Sequence, residues 1–435
     1  MSGPRLPGFS TLSLHAGGAP DPATGARATP IHFTSAFALR DSDHGAALFN
    51  MAQAGHVDAG IANPTNAVLE ERIAALERGV AGIAIASGQA ALHLGVCTLA
   101  GSGDHVVASR ALHGGSHDLL AHTLRRFGVE TTFVDPRDLD AWRAAIRPTT
   151  RLLFGDTLGS GLEVLDIPAV AALAHEHDLP LMVDATCTTP WLQQPFELGA
   201  DLLFHSATQF LCGHGAAAGG LLVDGGTFDW QRAHERSGRF ATLCEPCDGL
   251  HGMVFSEEST VGAFALRARR EGLRDFGAAL SPHNAFAILQ GIETLGLRME
   301  RHVANTRRVV EFLAAHPMVA SVSHPELASH PDHALARRLL PRGCGALVTF
   351  TLEGGRAAQR RFIEGLRVFS HLAGAGQTRS LLTHPASTTH SRVPAAQLAA
   401  SGITADTLRM SVGLEDPDDL IDDIKRGLKL AAKGA

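Results

Sequence analysis

Between residue 80 and about residue 225, short apolar runs alternate with helical stretches. The runs Ile83 to Ala86, Val106 to Ala108, Thr131 to Val134, Leu152 to Phe154, Leu181 to Val183, Leu202 to Phe204 and Leu221 to Val223 read as strands. They lack the polar alternation of a half-exposed strand, which predicts burial on both faces. Helical stretches such as Ala169 to His177 lie between most of them. Buried strands alternating with helices predict an α/β fold. Its sheet has seven strands, mostly parallel, with helices on both faces and right-handed crossovers.

The flanks read differently. Residues 1–62 are rich in Gly, Pro, Ala and Thr, and Pro20, Pro22, Gly25 and Pro30 break any helix. They predict an extended arm. A helix starts after Asn63, with Pro64 at a natural entry position. Residues 226–275 look irregular and are rich in Gly, Cys and His. A helix pair follows, including His302 to Ala315 with Val303, Val310 and Leu313 on one face. Strand-like Ala346 to Thr351 and a final helix, Leu420 to Ala432, complete the chain. The expected division is an arm over 1–62, a large α/β domain over 63–275 and a smaller α+β domain over 276–435. At 435 residues the chain can bury large cores.

Charge narrows the partners. There are 37 basic and 44 acidic residues and no basic block, which argues against nucleic acid. No apolar run approaches the roughly 18 residues of a membrane helix. The stretch Met1 to Arg5 lacks the apolar core of a leader, so a cytoplasmic location is expected. Six scattered cysteines argue against a disulfide framework. Cys244 and Cys247 have the two-residue spacing of redox and metal sites, but a single such pair reads as reduced thiols. Tyrosine is absent.

Two stretches carry candidate chemistry. Ser87-Gly88-Gln89 sits where a strand ends and a helix begins, where free N–H groups and the helix dipole favour a phosphate. Read alone, it is a helix cap. His205-Ser206-Ala207-Thr208-Gln209-Phe210 follows a strand-like run and precedes the turn Gly213-His214-Gly215. That second arrangement resembles the cofactor-lysine site of the pyridoxal-phosphate (PLP) enzymes of cysteine and methionine metabolism. The resemblance runs from about residue 10 to 432 and is nearest to O-acetylhomoserine sulfhydrylase, a relative of cystathionine γ-synthase. It rests on Ser87-Gly88-Gln89-Ala90-Ala91, on Val183-Asp184 through Pro195 to Asp201, and on Ser329-His330-Pro331-Asp332-His333. His384 to His390 and Leu408-Arg409-Met410-Ser411-Val412-Gly413-Leu414-Glu415 add to it.

The resemblance implies the type I fold of PLP-dependent transferases and a tetramer made of two close dimers. It implies a phosphate held by Ser87, Gly88, Gln89, Ser206 and Thr208, and a pyridine nitrogen held by Asp184. It also implies a substrate carboxylate gripped by Arg409, a bidentate task suited to a guanidinium, with Ser380 close to the substrate. Five positions depart from the family pattern. Gln209 stands where the family has the imine-forming lysine. Asp58 and Gly60 replace a Tyr and an Arg that reach the phosphate across the dimer interface. His113 replaces the tyrosine that stacks on the ring, and Ser160 replaces an asparagine that contacts the cofactor.

An amide nitrogen is not basic and forms no imine, so the resemblance implies lost covalent attachment, weak non-covalent PLP and lost ordinary turnover. His113 is then the candidate base or ring stack. The expected ligand is a small carboxylate or amino acid. The alternatives are a catalytically inactive paralogue that binds a ligand or an active partner, and a pocket repurposed for a metal. For the latter, His113, His117, Cys187 and Asp184 supply suitable ligand types, although Gly114-Gly115 argues against a helix that would align the histidines.

Overall fold

A computed structural model describes residues 7–50, 52, 53, 55–391, 398, 399 and 402–433. The Met1 to Arg5 stretch considered as a leader lies outside them. The seven apolar runs form the seven strands of the main sheet. These are β1 (Ala81–Ile85), β2 (His105–Ser109), β3 (Glu130–Val134), β4 (Thr150–Asp156), β5 (Leu181–Asp184), β6 (Leu202–Ser206) and β7 (Gly220–Asp224). Their order is β1-β7-β6-β5-β4-β2-β3. Only β7 runs against its neighbours. Strands β2, β5 and β7 are buried along their whole length, which is why their sequences are continuous apolar runs rather than alternating ones.

The helix after Asn63 spans Pro64–Glu77, with the Asn63 side chain accepting from the Thr65 N–H. Its last residue meets the sheet in a buried pair, Glu77 Oε1 to His205 Nε2 at 2.6 Å, with both side chains fully enclosed. The stretch expected to be irregular, 226–275, is instead a chain of short helices. It includes Trp230–Ser237, Phe255–Glu258, Ala263–Arg267 and a π-helical turn at Ala268–Leu273. These turns are held by Trp230, Phe240 and Phe264 packed against one another rather than by a repeating apolar face.

The 21-residue helix Leu295–Ala315 links two cores. Met299 and Val303 belong to the core of the main sheet. Val309, Val310 and Leu313 belong to a second core, beside Phe350, Phe362, Met410 and Ile424. That core backs a five-stranded sheet ordered β10-β11-β12-β9-β8. Its strands are β8 (Val319–Ser323), β9 (Leu347–Leu352), β10 (Ser370–His371), β11 (Leu381–Thr383) and β12 (Leu408–Ser411). The last helix, Pro417–Ala432, covers its outer face. No helix among the described residues is long and apolar enough to cross a membrane.

Candidate active site

A cavity of about 270 Å³ opens at the carboxyl ends of the parallel strands, bounded on its far side by β9 and β12. Open α/β sheets collect ligands at this edge. Gln89, His113, Asp184, Cys187, Gln209 and Arg409 line it.

The helix Gly88–Leu99 points its N-terminus into the cavity. Ser87 Oγ accepts from the Ala90 N–H at 3.1 Å. The amides of Gly88 and Gln89 have no carbonyl within the helix to reach. A Cβ on Gly88 would stand 2.5 Å from Ser206 Cβ, so only glycine lets this helix end approach β6 so closely. Ser206 lines the cavity, whereas the Thr208 hydroxyl is tied to both the N–H and the carbonyl of Gly219.

Neighbouring strands β4 and β5 pair Asp156 with Asp184, which sets two buried carboxylates side by side. His113, the N-cap of the short helix Gly114–Asp118, closes on them. Its ring Nδ1 lies 2.6 Å from Asp156 Oδ2, and its backbone N–H donates to the same oxygen at 3.0 Å. A carboxylate partner makes Nδ1 the donor. The other ring nitrogen, Nε2, faces Cys187 Sγ at 3.9 Å. Burial opposes the charge on His113, but the Cys187 sulfur and the Asp156 hydrogen bond outweigh it and raise the imidazolium well above the usual histidine range. The Asp184 carboxyl is pushed up to about 6 by burial and by the Asp156 charge, with His113 pulling the other way.

On the opposite wall, Arg409 on β12 is 7% exposed, and its Nε and Nη1 have no hydrogen-bond partner among the described residues. Burial lowers its pKa, which the nearby Cys187 partly offsets. Burial and the Arg409 charge push His390 down to about 4. The Gln209 side-chain oxygen is also buried without a partner.

Other residues singled out in the sequence stand apart from the cavity. Asp58 is exposed in the arm, where Oδ1 accepts from the Gly60 N–H at 2.6 Å. Ser160 is buried, and its N–H donates to the Ala111 carbonyl. Ser380 Oγ donates to Glu415 Oε2 at 2.8 Å and accepts from the Gly413 N–H at 2.8 Å. Gly114-Gly115 does not prevent a helix, yet His117 turns away to stack on Phe133, with ring centroids 4.6 Å apart. The cluster able to hold a metal among the described residues is His113, Asp156 and Asp184, not a His113–His117 pair. Asp156 was missed in the sequence. Its signal was an acid one glycine beyond a buried strand run, where Asp184 follows its own run directly.

Residues 10–429 match the Cys/Met metabolism PLP-dependent enzyme family. The chain belongs to that family. It is 43% identical over 429 residues to an O-acetyl-L-homoserine sulfhydrylase of Leptospira meyeri, covering 96% of each chain. It is 39% identical over 430 residues to an L-methionine gamma-lyase of Pseudomonas putida, covering 98% of this chain and 99% of that one. A crystal structure from Campylobacter jejuni, described as an O-acetylhomoserine (thiol)-lyase with a pyridoxyl-lysine monophosphate in its chain, superposes with a TM-score of 0.93. It is 35% identical and covers 97% of this chain and 99% of its own. The fold is that of the type I PLP-dependent enzymes.

The cofactor of this family can be tested against the residues present. The helix end at Gly88 and Gln89, with Ser206, offers an anion cradle that a Cβ would fill. An imine to the protein does not fit, because no lysine lines the cavity. The chain has only three lysines, Lys425, Lys429 and Lys433, all on or just after the final helix. Lys425 pairs there with Asp422 at 2.9 Å.

Proposed function

We propose that this protein is a divergent relative of the O-acetylhomoserine sulfhydrylases. It binds a small amino-acid-type ligand through a carboxylate on Arg409 and lacks the covalent cofactor link of its family. The observation that carries the reading is the distribution of lysines, with Gln209 in the cavity and every lysine on or just after the last helix. Two guanidinium nitrogens of Arg409, enclosed beside the cavity and unpartnered among the described residues, support an anionic ligand. PLP binds weakly and without an imine, since Asp58 and Gly60 supply no cation toward its phosphate from the neighbouring subunit. The assembly is a tetramer of two close dimers, which the exposed Phe33 and Phe49 of the arm support. A monomer by light scattering would count against it.

The test is the absorbance spectrum and the turnover of the purified protein. We expect no chromophore that borohydride fixes to the chain after added PLP. Homocysteine formation from O-acetyl-L-homoserine and sulfide should be absent or slowed by more than the roughly 10²–10⁴-fold of one acid–base group. Turnover at the rate of active relatives would overturn the reading.

A further inference from the structure

Cys187 and His113 line the cavity, and Asp156 stands behind the imidazole. We infer that Cys187 is a nucleophile for acyl transfer, with His113 as its acid–base partner and Asp156 as the residue that positions the imidazole. The substrate class is a small O-acyl or N-acyl amino acid. The inference rests on the reading above in one respect, the carboxylate held by Arg409.

The geometry supplies each part. Asp156 fixes the ring from Nδ1 and from the His113 backbone at once, so Nε2 is left facing sulfur. This is the nucleophile–base–orienter order that activates a thiol. His113 stands on one side of the sulfur and buried Arg409 lines the same cavity, together with the Asp184 carboxylate. Cys187 lies three residues past Asp184, in a turn with one constrained geometry. Thr189 sits at φ +55°, a region that β-branched residues avoid, and Thr188 Oγ1 is tied to the Ala185 carbonyl and to Thr157 Oγ1. Two other thiols make a contrast. Burial pushes Cys97 up to about 11 and Cys344 up to about 12, so both stay protonated near neutrality.

The step balances without an outside oxidant or reductant. In the reacting form the proton shared by Cys187 and His113 rests on His113 Nε2, and the sulfur attacks the acyl carbon. The bond from that carbon to the alcohol oxygen or amine nitrogen breaks, and the leaving group takes the proton from His113. Water, deprotonated by the same imidazole, then cleaves the thioester. The products are a carboxylic acid and the free amino acid, and the Cys187–His113 pair recovers its shared proton.

Alkylation of the whole protein tests the relay. Iodoacetamide and iodoacetate are compared at pH 7, with peptide mass spectrometry locating the label. Cys187 should react at least about tenfold faster than Cys97 and Cys344. His113→Gln should remove most of that advantage. Asp156→Asn should move the pH profile of labelling upward, because a carboxamide no longer stabilises the imidazolium; an unmoved profile removes Asp156 from the relay. Iodoacetate should be preferred by the parent and not by Arg409→Met. Fast labelling without that preference supports the relay and overturns the carboxylate anchor. Cys187 labelling no faster than Cys97 overturns the relay. Quenched incubation with O-acetyl-L-homoserine should leave acetyl on Cys187, and none on the Cys187→Ser protein; acetyl missing from the parent overturns acyl transfer.

Discussion

Replacing Arg409 with Met should make the protein more stable and worse at binding, and the two effects have one cause. Arg409 sits on β12 between Thr349 of β9 and Thr383 of β11, 7% exposed, with two guanidinium nitrogens unpartnered among the described residues. An unsatisfied buried polar group costs about 1–3 kcal/mol, and more when charged. Met is unbranched and can follow the same path without that cost. The ligand-free variant should therefore gain about 1–3 kcal/mol. At the roughly 2–4 °C per kcal/mol of domains of 150–250 residues, its melting temperature should rise by several degrees. Binding should move oppositely. Removing one partner of a buried, hydrogen-bonded charge pair costs about 2–5 kcal/mol, or roughly 30-fold to a few thousandfold in affinity. The assay is thermal unfolding of both proteins with and without O-acetyl-L-homoserine. The parent should be stabilised by the ligand and the variant should not. A ligand-free variant that melts below the parent would refute the claim that Arg409 is held without a partner.

Three further outcomes are expected. Glu77→Ala should destabilise the protein by about 3–5 kcal/mol, because it leaves His205 enclosed without its partner; chemical denaturation reads this. Burial raises the Glu163 carboxyl from 4.5 to about 7. Its folded pKa lies above its unfolded one, so its contribution is full below pH 4.5 and is lost as the pH rises through 7. Glu163→Gln should thus flatten the fall in melting temperature over that window, and an unchanged slope would refute the assignment. Gln209→Lys alone should restore little homocysteine synthesis, whereas Gln209→Lys with Asp58→Tyr and Gly60→Arg should restore tight PLP binding in a spectral titration.

The main sheet was legible because strands buried on both faces leave unbroken apolar runs, and all seven were found within two residues of their ends. The helices of 226–275 were not, because turns of three to eight residues have no face long enough to show a period. Their order comes from aromatic contacts between segments. At the site, Gln89, Asp184, Gln209 and Arg409 were legible through motifs. The contact between His113 and Cys187 was not. Those residues are 74 apart in the chain and meet because the loops after β2 and β5 converge at one sheet edge. Asp156 carried no motif and showed its place only when β4 paired with β5.

The confinement of every lysine to the last helix and its C-cap has a practical reach. Reagents that couple to ε-amines, whether biotin esters, fluorophores or an activated sensor surface, will address one patch of the smaller domain and no residue of the cavity lining. A protease that cuts only after lysine will trim the last turns and leave residues 1–425 as a single piece. The Gln209→Lys protein would then carry one enclosed amine against a nearly silent background. Its reactivity toward any aldehyde could be followed against only three other lysines, all exposed.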